Sequence, residues 1–251
     1  MTTWVLLRGW MRETRHWGGF PASFQHALNA QKVVALDFPG NGSLYAQTSA
    51  TSVEEMADFC HTQLGKLGYA PPYSVLALSL GAMVAVAWSE SHPTDLERIV
   101  LINTSLAPHN PFYHRLRPAN YAALLRFLLF GSVDRREKLI LRLTSRLLIN
   151  SEHRHEILDQ WTSYAREYPV SRANALRQLK AAAGYHARLS VPTVPVLLLA
   201  AEQDELVNAK CSRALAQRWR CTIRIHPTAG HDLPLDDGEW VSRQIREWVD
   251  L

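Results

Sequence analysis

The 251 residues are 47% apolar and 20% charged, with a net charge of +4; this composition excludes disordered and fibrous chains and supports one sizeable core. No apolar run reaches the roughly 20 residues of a membrane helix, and Met1-Thr2-Thr3-Trp4 lacks the basic start of a secretory signal, so a cytoplasmic protein without membrane attachment is expected. The cysteines, Cys60, Cys211 and Cys221, are odd in number and form no CxxC pair, which speaks against a disulfide framework and a zinc site.

Residues 3–7 read as a buried strand, after which Arg8-Gly9-Trp10-Met11 turns the chain across the top of a sheet. Helical spacing over 17–30 leads to a second strand at 32–37 and to the loop Asp37-Phe38-Pro39-Gly40-Asn41-Gly42, whose proline and glycines mark a tight turn. Ser52-Val53-Glu54-Glu55 is a capping box that opens a helix to about residue 67, closed by Gly68. Residues 74–78 form an apolar strand that runs directly into a helix reaching Trp88, apolar on nearly every face, and 99–103 form a fourth strand.

Between Pro108 and Arg188 the strand rhythm stops, and helical stretches follow at 121–130, 135–149 and 152–167. This segment carries 14 Lys and Arg against 6 Asp and Glu, a net +8, while the rest of the chain is net −4. A basic middle reads as a separate layer, either facing anionic material or built of solvated helix faces. A strand at 194–200, a helix at 209–218, a strand at 221–225 and a helix at 240–249 complete the chain. Six strands separated by helices predict an α/β fold with a doubly wound, mostly parallel sheet and binding at the strands' carboxyl ends.

Ser79 stands where the third strand meets its helix, with Ala77 and Gly81 two positions to either side. A serine between small residues is often a helix N-cap; at a sharp strand-to-helix turn it is also the place for a nucleophile. A serine hydroxyl needs a base to take its proton and a third group to orient that base. His231, in Ala229-Gly230-His231-Asp232 after the last strand, and Asp204, after the fifth, supply both at the same sheet edge. Glu202, Glu205 and Asp232 compete with Asp204 for the acid role, whereas Asp236 and Asp237 read as caps of the final helix. Asn103 places no carboxylate at the end of the fourth strand, and His153 and His155, without nearby acidic or cysteine ligands, read as a solvated helix segment and not a metal pair. Trp10, Trp17, Phe38, Phe112, Tyr113, Phe127 and Phe130 include candidates for an apolar substrate wall, or for ordinary core. No phosphate-binding glycine loop is present, and the basic residues lack the aromatic interleaving of nucleic-acid binders.

Over essentially its whole length the sequence resembles the α/β-hydrolase fold family. The resemblance is carried by Arg8-Gly9-Trp10, Asp37 to Gly42, Ala77-Leu78-Ser79-Leu80-Gly81, Asp204 with Leu206-Val207, and Ala229-Gly230-His231, in the family's chain order of serine, acid and histidine. It implies a hydrolase core at 1–107 and 189–251, a helical cap at 108–188, and a sheet without the two antiparallel leading strands of relatives. It further implies Ser79 as nucleophile, His231 as general base and acid, Asp204 as the orienting acid, and the N–H groups of Leu80 and Trp10 as the oxyanion hole, with no cofactor and no metal. Two departures stand out: Arg8 replaces the histidine common after the first strand, and Ala77 replaces the first glycine of the elbow.

The resulting expectation is a serine hydrolase that cleaves a carboxylic ester or thioester through an acyl-enzyme on Ser79. Its substrate would be a small molecule, or an acyl group borne on an acidic acyl carrier protein, which relatives with basic caps accept and the +8 segment would suit. The strand at 32–37 becomes a sheet edge that must be covered, twisted or paired, leaving monomer or homodimer open. The rival readings are a cofactor-free lyase or C–C hydrolase on the same scaffold, and a ligand-binding receptor without turnover.

Overall fold

The computed structural model describes residues 3–129, 131–148 and 152–250; Phe130 and Ile149, where the sequence places two helix ends, lie outside them. The described residues form one sheet of β1 (Thr3–Leu7), β2 (Lys32–Leu36), β3 (Tyr73–Leu78), β4 (Leu96–Ile102), β5 (Val196–Ala201) and β6 (Thr222–His226), in the order β2-β1-β3-β4-β5-β6 with every neighbour parallel. The chain runs outward from β1 to β2 and then crosses back to β3. The winding direction therefore reverses between β1 and β3, and it is at the carboxyl ends of strands at such a reversal that open α/β sheets place their binding sites.

Alternation along the strands builds the two faces. Val5, Leu7, Val75, Ala77, Ile99, Leu101 and Leu198 share one buried cluster with Met56 and Cys60 of α2 (Val53–Lys66), Ala82 and Val86 of α3 (Leu80–Ser91) and Leu215 of α9 (Lys210–Trp219). Trp4, Leu6, Leu76, Val100, Ile102 and Leu197 point the other way, onto Phe20 and Phe24 of α1 (Phe20–Ala27) and Val241 and Ile245 of α10 (Leu233–Val249). The α3 helix is buried over most of its length, as its all-round apolar sequence requires. Ser52 caps α2 by accepting from the Glu55 N–H at 3.1 Å. β2 is an outer strand, as expected, with Val33 and Ala35 packed on one cluster and Val34 on the other.

Between β4 and β5 the chain makes a helical excursion of α4 (Phe112–Arg115), α5 (Tyr121–Leu129), α6 (Val133–Thr144), α7 (Arg154–Glu167) and α8 (Arg172–Gly184). It opens and closes at one parallel bridge, where Ala107 meets His186 and the Ala187 N–H donates to the Ala107 carbonyl at 2.8 Å. The α8 helix escapes the sequence reading because much of its buried face is amide: Asn174 and Gln178 lie beside Ala175 and Ala181 in place of an apolar stripe. Those amides dock it. Gln178 donates to Asn41 Oδ1 at 2.7 Å and accepts from the Met11 N–H at 3.0 Å, while Asn174 accepts from the Ser49 N–H at 3.0 Å. Nearby, Arg12 donates to Glu137 of α6 at 2.6 Å and stacks 4.4 Å above Trp161 of α7. Among the described residues no helix is long and apolar enough to cross a membrane.

A methyl group added to Gly81 would lie 2.6 Å from the Leu7 carbonyl oxygen and 2.7 Å from that of Arg8, whereas one added to Gly65, inside α2, meets nothing within 4 Å. Gly81→Ala is therefore expected to cost about 1–3 kcal/mol by forcing α3 off β1, and Gly65→Ala to gain up to about 1 kcal/mol from helix propensity. Urea unfolding of both variants beside the parent measures the pair.

Candidate active site

Ser79 occupies the corner between β3 and α3 with φ 57° and ψ −114°, a left-handed backbone that a non-glycine residue holds only where its surroundings enforce it. Three contacts enforce it here. Its N–H continues the sheet by donating to the Ile102 carbonyl at 3.0 Å, its carbonyl accepts the first helical bond from Ala82 at 3.0 Å, and a methyl group on Gly9 would lie only 3.2 Å from its Cβ. The side chain makes no capping bond and, among the described residues, the hydroxyl has no hydrogen-bond partner. Ser79 is half-buried and is turned out at the sheet's carboxyl edge by its strained backbone.

His231 is held by Asp204. The carboxylate Oδ2 lies 2.7 Å from the ring Nδ1, and its other oxygen accepts the N–H groups of Leu206 at 2.8 Å and Val207 at 3.0 Å. A buried carboxylate with three donors is fixed in rotation, and it fixes the imidazole so that Nε2 is the remaining proton-exchange position. Burial acts most strongly on His231 and opposes its charge, but Asp204, by charge and hydrogen bond, and the charge of Asp232 outweigh burial and Arg8, leaving the pKa above its ordinary value.

The competing carboxylates are occupied elsewhere. Glu202 pairs with Arg213, Glu205 with Arg146, and Asp232 with Arg8, whose two guanidinium nitrogens reach its oxygens at 2.5 and 3.1 Å. Asn103, at φ 47°, donates to the His231 carbonyl at 2.8 Å and accepts from the Ala201 N–H at 2.8 Å, so the ends of β4 and β5 and the histidine loop share one amide. Ile102, the residue before it, takes the Ser79 N–H, which places serine and histidine on adjoining stretches of one strand end.

Residues 4–244 match the sequence model of the Alpha/beta hydrolase family. The chain belongs to this family. It is similar in structure to a thermophilic esterase from Thermogutta terrifontis, with a TM-score of 0.76 at 19% identity over 100% of this chain and 90% of that one. It is also similar to the enol-lactonase from Burkholderia xenovorans, with a TM-score of 0.79 at 16% identity over 100% and 92%. A hydrolase from Oleispira antarctica gives a TM-score of 0.77 at 16% identity over 100% and 91%. No curated protein matches the sequence.

In this α/β hydrolase the elements that carry Ser79, Asp204 and His231 fall where the sequence places them, and Leu80 opens α3 with its N–H in the unbonded first turn. Trp10 follows β1, with its indole N–H donated to the Ala175 carbonyl of α8 at 2.9 Å. The final helix differs from expectation: it begins at Leu233, not Trp240, and bends at Asp237, where φ is −152°. Asp237 does cap the segment after the bend, accepting from the Trp240 N–H at 2.9 Å, but Asp236 does not cap. Its carboxylate accepts from the Gly230 N–H at 2.7 Å, the Ser145 hydroxyl at 2.5 Å and the Arg146 N–H at 2.9 Å, joining the end of α6 to the histidine loop. Trp17 and Phe38 lie in the core, whereas Phe112 and Tyr113 are exposed. Two cavities, of about 70 Å³ beside Arg12, His16 and Glu137 and about 440 Å³ beside His61 and Asp95, are not lined by Ser79 or His231.

Among the described residues one group, His61, His92 and Asp95, brings possible metal-ligand atoms within 4.8 Å of one another. Its two imidazoles lie parallel, 4.2 Å apart at an angle of 3°, so their in-plane lone pairs run side by side and do not converge on one ion. Each ring already meets a carboxylate, Asp95 at 2.6 Å and Asp58 at 2.9 Å. His153 and His155 are exposed, as the sequence suggests.

Removing the Asp236 carboxylate strands four donors, of Gly230, Ser145, Arg146 and Leu147, in a part-buried seam. Asp236→Ala is expected to cost about 1–3 kcal/mol, with Asp236→Asn milder, as read from chemical denaturation midpoints.

Proposed function

We propose that this α/β hydrolase is a serine esterase acting on carboxylic esters or thioesters. The observation that carries the reading is the His231–Asp204 pair, buried and oriented, at the same sheet edge as a serine whose hydroxyl is left unengaged by a strained elbow. In this reading the Ser79 Oγ attacks the carbonyl carbon while His231 Nε2 takes its proton. The negative charge that develops on the carbonyl oxygen is met by the N–H groups of Leu80 and Trp10. The Leu80 donor sits at the positive end of α3, and the loop that bears Trp10 is fixed by the indole bond to α8.

His231 then protonates the leaving oxygen or sulfur, the acyl group remains on Ser79, and water activated by the same imidazole releases it. Asp204 favours the imidazolium that forms at each step. The Ser79–His231 hydrogen bond, not made at this geometry, is of the kind that tightens only when substrate is bound.

Hydrolysis of p-nitrophenyl esters of graded acyl length tests the reading. Ser79→Ala is expected to lower kcat by up to about 10⁶, as for a comparable triad, and mass spectrometry of the parent quenched during turnover should show the acyl group on the Ser79 peptide. Hydrolysis that survives in Ser79→Ala would overturn the reading, and turnover without an acylated serine would favour lyase-type chemistry. Since the base must be neutral and its pKa is raised above 6.5, the acid limb of kcat/KM is expected above pH 6.5, with activity lost as pH falls through it. A pH profile with its limb at or below 6.5 contradicts the raised pKa of His231.

A further inference from the structure

Arg8 and Asp232 are the molecule's least expected charges. Both are almost fully buried, at 1% and 2% exposure, and they meet as a two-pronged pair at 2.5 and 3.1 Å. The guanidinium carbon also lies over the Trp17 ring, 4.6 Å from its centroid, so the cation has an aromatic neighbour as well as its carboxylate. Taking two ions out of water is costly, and an apolar pair of the same volume commonly serves stability as well or better. A buried ion pair therefore calls for a reason beyond stability, and its place in the chain supplies one.

Arg8 is the residue before Gly9-Trp10, in the loop after β1, and its carbonyl is one of the two against which Gly81 of the elbow packs. Asp232 is the residue after His231 and stands at the N-cap of α10. One side-chain pair thus joins the loop on the oxyanion side to the loop that bears the base, across the strand ends that neither loop shares in sequence. We propose that Arg8 is a positioning residue for the hydrolysis, acting through Asp232 to hold His231 in register with Ser79 and the Trp10 N–H and to balance the charge beside the imidazole. The proposal rests on the esterase reading above, since it assigns Arg8 its effect through His231.

The groups facing His231 are few. Asp204 faces it from the loop after β5, Asp232 from the start of α10 and Arg8 from the end of β1; Asp236 of α10 and Arg146 of the helical excursion lie behind Gly230. Arg8 and Asp232 act on the imidazolium in opposite senses, Asp232 favouring it and Arg8 opposing it. Neutralising one therefore unmasks the other.

The test compares Arg8→Lys, Arg8→Met, Asp232→Asn and the double variant R8M/D232L with the parent and with Ser79→Ala, using ester hydrolysis across pH and melting temperature on the full chain. Lysine keeps the charge but not the two-pronged fork. Arg8→Lys is expected to lose kcat by about 10²-fold with KM little changed, its acid limb staying near the parent's. Arg8→Met should move the acid limb to higher pH, Asp232→Asn should move it to lower pH, and the double variant should return it toward the parent while kcat stays low. Opposite movements are a signature that loss of packing alone does not produce. If Arg8→Met fails to fold, Asp232→Asn, which keeps the shape of the pair, carries the same test. Parent-like kcat in Arg8→Lys together with an unmoved acid limb in Asp232→Asn, beside an inert Ser79→Ala, overturns the proposal and leaves the esterase reading standing. Hydrolysis surviving in Ser79→Ala overturns both.

Discussion

The site depends on how closely one helix can approach one strand end. The first turn of α3 passes so near the carbonyls of Leu7 and Arg8 that residue 81 has no room for a Cβ, and Gly9 on the facing loop has little more. This approach drives Ser79 into its left-handed conformation and turns its side chain away from the capping bond that a serine at a helix start ordinarily makes. Because it occurs where the winding of the sheet reverses between β1 and β3, the serine and the loop after β1 meet at the sheet's carboxyl edge. The left-handed backbone is costly and persists because the surrounding sheet is buried on both faces and cannot yield.

A second constraint is the sorting of carboxylates. Glu202, Asp204 and Glu205 after β5 and Asp232 and Asp236 after β6 crowd the site, and a histidine set among them could pair with several. Arginines from separate parts of the chain take the others: Arg213 holds Glu202, Arg146 holds Glu205 and Arg8 holds Asp232, while Asp236 is satisfied by three backbone N–H groups and a hydroxyl. Asp204 remains for His231, with the Leu206 and Val207 N–H groups already fixing its other oxygen. The uniqueness of the His231–Asp204 pair is therefore a property of the whole set of charges.

Polar groups fasten the helical excursion to the core beside the apolar contacts of Ala181 and Tyr185. Gln178 and Asn174 of α8 bond to Asn41, Ser49 and Met11, and Asp236 bonds to the segment after α6. The glycines of the Pro39 to Gly42 loop follow from this arrangement: a Cβ at Gly40 would collide with Ser49 and Asn174, and one at Gly42 with Asp37. A polar seam of this kind orients its two sides through the directions of its hydrogen bonds. It thereby fixes the loop that carries Trp10.

The sequence by itself determined the six strands, their winding, and the strand ends at which Ser79, Asp204 and His231 stand, because apolar period and loop chemistry are local and the order of elements prescribes the sheet edge. It missed α8, whose docking face is amide and leaves no apolar period, and it misplaced the start of α10, where Pro234 and the bend at Asp237 disguise a helix that begins at Leu233. Arg8 was visible as a departure from the family's pattern, but its partner was not: Asp232 lies 224 residues away and reads in one dimension as one more rival for His231. Only the tertiary structure decided which carboxylate each charge would meet, since a buried ion chooses its partner by distance and desolvation, and neither is written in the spacing of residues along the chain.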